Sequence, residues 1–106
     1  MKSFDGESYW VKIYIAGPVH EIEQVCREHV LKGGCINIKQ NKYIYTHGEE
    51  TGVEIEFINY PKYPAGPSVI WEDAKELAHK IMNTIHAGSY TVMDRKEVYT
   101  FDRRGQ

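Results

Sequence analysis

Hydrophobic and polar residues alternate from the ninth position onward. Val11, Ile13 and Ile15 fall on one side, and Trp10, Lys12 and Tyr14 on the other. A period of two predicts a strand with one buried face and one aromatic-rich face. At Ala16-Gly17-Pro18 the period changes. Ile22, Val25, Cys26, His29 and Val30 then follow the spacing of a single helical face over residues 19–32. Pro18 suits the first helical position, where a missing N–H is no loss. Glu23–Arg27 and Glu28–Lys32 stand four apart with the acid first, the favourable order. Gly33-Gly34 predicts a left-handed stop.

Alternation returns in residues 35–45, through Ile36, Ile38, Tyr43, Ile44 and Tyr45, and again in Val53, Ile55 and Phe57. The polar interval at residues 39–42 interrupts the first run and predicts a bulge or a bend. Residues 47–52 read as the turn. The two runs are long for ordinary strands and predict a hairpin that projects beyond its domain. Three prolines at 61, 64 and 67 predict a loop. Ser68 is placed to cap a second helix, with Ile70, Ala74, Leu77, Ala78, Ile81, Met82 and Ile85 on one face, ended by His86-Ala87-Gly88. Residues 89–101 form a fourth strand, with a fold-back at Asp94-Arg95-Lys96 as an alternative. The order β-α-β-β-α-β predicts an α+β, ferredoxin-like sandwich. Four antiparallel strands carry two helices on one face, and the second and third strands form a long hairpin. Residues 1–8 are expected to be a flexible N-terminus, 9–102 a single domain and 103–106 a polar tail.

A chain of 106 residues with net charge −2 has no basic excess, which argues against nucleic acid and anionic membranes as partners. No apolar run approaches the ~20 residues of a membrane span. Two cysteines without a secretory leader imply a cytoplasmic protein with reduced thiols, Cys26 and Cys35 both serving as small core residues. Eight tyrosines exceed what a small core needs and suit an interface.

The fold hosts many activities, so particular residues must decide. An RNA-recognition sheet needs stacking aromatics on its central strands, yet the third strand would show Glu54 and Glu56. An acylphosphatase-type cradle needs an arginine in the first strand–helix loop, which has none. One likeness covers more. The run EIEQVCREHVLKGGCINI, with Cys35-Ile36-Asn37-Ile38 opening a long strand, resembles the CutA proteins, as does the segment KYIYTHGEETGVEIEF. His86 and Tyr90 stand near a histidine- and tyrosine-bearing segment of that family. The resemblance implies a homotrimer whose hairpins cross onto neighbouring subunits, and kinship in shape with PII-type proteins that bind nucleotides in clefts between subunits.

Three groups carry candidate chemistry. His47, Glu49 and Glu50 combine imidazole and carboxylates, donors that suit a divalent metal ion, the one cofactor the sequence suggests. Gly17 and Pro18, with His20 as a further donor, sit at a helix N-terminus that favours an anion. Tyr43, Tyr45, Trp71 and Tyr90 are aromatic positions placed to meet across a subunit boundary. His29 reads as a packed, hydrogen-bonded residue. No nucleophile–base pair or phosphate-binding loop is visible, so the reading leans against catalysis. The expectation is therefore a non-enzymatic, trimeric CutA/PII-like protein binding a small anionic ligand such as a nucleotide, or a metal ion, at subunit clefts. A protein-interaction module acting through the hairpin and aromatic loop, and a metal-dependent hydrolase using His47, Glu49 and Glu50, are the alternatives.

Overall fold

The computed structural model describes residues 9–58 and 66–103. Its elements are β1 (Trp10–Ala16), α1 (Val19–His29), β2 (Ile36–Tyr45), β3 (Gly48–Ile58), α2 (Pro67–Ile85), β4 (Ser89–Met93) and β5 (Val98–Asp102). The sheet order is β2-β3-β1-β4-β5, with every neighbouring pair antiparallel. This is the expected ferredoxin-like architecture with one strand more. The last run folds back on itself because Asp94 closes a tight turn, its carboxylate accepting from the N–H groups of Lys96 and Glu97 at 2.8 Å each. The Tyr9 hydroxyl donates to the same carboxylate at 2.7 Å and ties the turn to the start of β1.

Alternation decides which face is covered. Val11, Ile13, Ile15, Val53, Ile55, Phe57, Tyr90 and Val92 are buried under the helices, which bring Ile22, Cys26, Ala74, Leu77, Ala78, Ile81 and Met82. Burying each large aliphatic side chain contributes roughly 1.5–3 kcal/mol, so this single layer dominates stability. Across the helix pair, buried His29 has Nε2 2.9 Å from Asp73 Oδ1 and Nδ1 3.1 Å from Lys80 Nζ. It is the packed histidine that its place on the apolar stripe implies.

Four local expectations are corrected. The β2–β3 register runs unbroken from Ile36↔Phe57 to Tyr45↔Gly48, so the polar interval makes no bulge. The turn is shorter than read: two residues suffice because His47 takes the left-handed conformation (φ 69°), and the Gly-Glu-Glu that follows belongs to β3. Gly66, not Ser68, occupies the N-cap of α2, with Pro67 behind it. Cys26 is a core residue whose thiol burial pushes up to about 11, whereas Cys35 is exposed, because β2 lies at the sheet edge. The stretches 1–8 and 104–106 and most of the proline loop, 59–65, lie outside the described residues. No helix among the described residues is long and apolar enough to cross a membrane.

Beyond Ala16↔Gly52 the hairpin leaves the sheet, since β1 ends there. Residues 42–51 continue alone, an arm of about 15 Å at the usual rise per strand residue. Its tip carries Ile44 at 77% and Tyr45 at 52% exposure.

Candidate functional site

The junction of arm and body forms a cleft of about 710 Å³. Tyr43, Tyr45 and Glu50 line it from the arm, Tyr14, Ser89 and Thr91 from the sheet, and His86 and Gly88 from the loop after α2. The register explains the grouping. Tyr14 and Thr91 are paired across β1 and β4, and Tyr43 stands opposite Glu50 across the arm. All four project from the sheet face that carries no helix, where alternation puts them.

Two glycines of β3 make room for the rings. A Cβ at Gly52 would lie 2.7 Å from Tyr43 Cε2, and one at Gly48 2.5 Å from Tyr45 Cε1. A glycine within a strand often marks such a close approach. The Tyr43 hydroxyl donates to the Val53 carbonyl at 2.7 Å, which fixes the ring as a wall of the cleft. Burial pushes its phenol above the ordinary range, although the Asn41 amide and the Ile15 backbone beside it oppose the shift. Tyr90 borders the cleft, but its ring belongs to the core. Its hydroxyl lies 3.1 Å from His79 Nδ1, its ring stacks on Phe101, and burial, followed by the neighbouring Tyr99, pushes its phenol up to about 12.

The predicted aromatic group is therefore only partly assembled. Tyr43 and Tyr45 meet, and Tyr90 is adjacent. Trp71 sits at the other end of the sheet, in a separate cleft with Tyr9 and Trp10. Of the group expected to hold an anion, Gly17, Pro18 and His20, none lines this cleft. The Gly17 N–H is already spent on the Thr51 carbonyl at 3.0 Å, Pro18 has none, and His20 points to solvent. Gly17 is needed for packing instead: it holds φ 154°, and a Cβ there would meet Ile85 Cδ1 at 2.4 Å.

The metal set is also corrected. Consecutive strand residues face opposite sides, so Glu49 turns toward Lys42, 3.5 Å away, while Glu50 turns into the cleft and His47 stands at the turn. Among the described residues no three His, Cys, Asp or Glu side chains are grouped to hold a metal ion.

Sequence reasoning missed Tyr14, Ser89 and Thr91 because the last strand's register was needed to bring them beside the arm. The available signal was Tyr14 on the polar face of the first strand.

The chain matches no protein-family model and no curated protein. Its fold is similar to that of two solved chains. One is a phage SAM lyase in the apo state, with TM-score 0.68 and 13% identity over 96% of this chain and 94% of that one. The other is a phage SAM lyase in complex with S-methyl-5′-thioadenosine, with TM-score 0.67 and 14% identity over 100% and 98%. These likenesses establish a shared ferredoxin-type fold. They also overturn the expectation of a non-enzymatic CutA/PII-like ligand carrier, because the solved chains that match this one almost end to end are those of an enzyme.

Proposed function

We propose that the cleft beneath the arm binds S-adenosylmethionine and that the protein cleaves it as a lyase, releasing S-methyl-5′-thioadenosine. The observation that carries this reading is the cleft itself: Tyr14, Tyr43 and Tyr45 with Glu50 as the sole carboxylate among the described lining residues. The two solved chains of similar fold, one holding S-methyl-5′-thioadenosine, support it.

The chemistry suits such a lining. The substrate carries a sulfonium and an ammonium. As the bond from sulfur to the γ-carbon breaks, its electron pair returns to sulfur and leaves a neutral thioether, while the substrate's own carboxylate oxygen bonds to the γ-carbon and closes a lactone, so no external nucleophile or proton acceptor is required. Positive charge disappears at sulfur during the step, so a strong ion pair there would hold the ground state more tightly than the transition state and slow the reaction. Tyrosine faces attract a cation weakly. Tyrosine, serine and threonine hydroxyls suit a ribose. Glu50 serves best at the ammonium, as an anchor and not as a reacting group.

Incubating the protein with S-adenosylmethionine and following products by chromatography tests this directly. S-methyl-5′-thioadenosine should accumulate in proportion to enzyme; substrate persisting intact at high protein concentration would end the proposal. Glu50→Gln should raise KM about tenfold, the loss expected for one charge-assisted contact, and change kcat little.

The exposed arm supports a further element, a homotrimer in which each arm is covered by a neighbouring copy. Among the described residues no strand pairs with either edge of the arm beyond the Gly17–Thr51 hydrogen bond, and Ile44 lies in the open at its tip. Exposed strand edges of this kind invite pairing with another chain. Light scattering should return three times the 12.3 kDa of one chain. Ile44→Asp should shift that mass toward the single subunit. A parent protein that scatters as a well-folded lone chain contradicts the trimer.

A further inference from the structure

We propose that His86 is a ligand-positioning residue of this cleft, its imidazole holding the nucleoside half of the bound molecule. The inference rests on the proposed function and adds a residue to it. His86 follows the last turn of α2 in the left-handed conformation, φ 60° and ψ 37°. Glycine is the residue that fits this place without penalty, and it is the usual choice at such helix ends. A side chain kept at a strained position beside a cleft is a pointer to use, since strain persists where the surroundings impose it.

The surroundings do impose it here. The Ala87 N–H donates to the Met82 carbonyl at 3.0 Å. The Arg103 N–H donates to the Gly88 carbonyl at 2.8 Å, and the Arg103 guanidinium donates to Asn83 Oδ1 at 3.0 Å. The loop is thus pinned from both sides, and His86 is presented on a fixed backbone. The residue is exposed and lines the cleft, and no described residue is hydrogen-bonded to its imidazole. It therefore does no visible work for the fold.

The division of charge assigns its half of the ligand. Glu50, on the arm, draws the cationic amino-acid end. The opposite wall, His86 with the hydroxyls of Ser89 and Thr91, carries no carboxylate and offers hydrogen-bonding groups that suit a ribose and a base.

The test uses S-methyl-5′-thioadenosine itself as the probe, by calorimetric titration, with thermal melts of the same samples. His86→Gly should raise the melting midpoint by roughly 3–6 °C, through relief of the left-handed strain. The same change should weaken binding of the probe about tenfold or more. His86→Ala should weaken binding equally while leaving the midpoint close to the parent's, since alanine keeps the left-handed strain and the imidazole is hydrogen-bonded to no described residue of the fold. A residue with a merely structural role would show the reverse for glycine, a fall in midpoint. Binding to His86→Gly as tight as to the parent overturns the inference while leaving the proposed function standing. A parent protein that does not bind the probe removes both.

Discussion

Gly52→Ala is expected to lower stability by about 3 kcal/mol and the thermal midpoint by more than about 10 °C. The added methyl would stand 2.5 Å from the Ile15 carbonyl oxygen, 2.7 Å from Ala16 Cα and 2.7 Å from Tyr43 Cε2. Two of these three neighbours are backbone atoms and cannot step aside without parting β1 from β3. The third is the ring that walls the cleft. One methyl therefore acts on the last rung between arm and body and on the candidate site together. Calorimetric melts of parent and variant check the magnitude. Gly48→Ala supplies the contrast, because there the new methyl meets only the Tyr45 ring. That ring is half-exposed near the arm tip and has room to move, so less than about 1 kcal/mol should be lost. Equal losses at the two glycines would mean that the backbone contacts of Gly52 are not what limits it.

His29→Ala is expected to cost about 3 kcal/mol, and His29→Leu about 1 kcal/mol, in urea unfolding. The ammonium of Lys80 can only donate, so Nδ1 accepts from it and the Nε2–H donates to Asp73. Both nitrogens of a residue only 4% exposed are thereby satisfied, and α1 is joined to α2 by a polar link inside an apolar stripe. Alanine removes the link and opens a cavity. Leucine fills the volume, and the abandoned partners retain other contacts, Asp73 with Lys32 at 3.0 Å and Lys80 with Glu76 at 3.6 Å. The gap between the two variants measures packing separately from hydrogen bonding. A leucine variant as unstable as the alanine variant would show that the polar link, and not the volume, holds the helices together.

Much of this architecture was legible in the amino-acid order. The alternation of Val11, Ile13 and Ile15 and the helical spacing of Ile22, Cys26 and His29 are local signals, and each element built on them is present. What failed depended on contacts between distant segments. The polar residues 39–42 suggested a bulge or a bend, yet they keep the β2–β3 pairing unbroken, so polarity there carries no backbone consequence. His47 takes a conformation that the sequence offered to the neighbouring glycines, and those glycines proved to be seats for Tyr43 and Tyr45. Glu49 and Glu50 looked like a pair and are separated by the pleat. The cleft was half legible. Tyr43, Tyr45 and Glu50 were singled out for their chemistry, but Tyr14, Thr91 and His86 join them only through the pairing of β1 with β4, which no short-range pattern encodes.

The place of β1 in the sheet has a kinetic consequence. It lies at the centre, between β3 and β4, so a strand early in this sequence is completed by one late in it. The β2–β3 hairpin, closed by two residues, can form on its own timescale of microseconds. The central strand must wait for partners of large sequence separation, which slows folding. During synthesis the edge of β1 that pairs with β4 therefore stays open until the last hairpin emerges. That interval is when chaperone capture or misassociation of nascent chains has its opening.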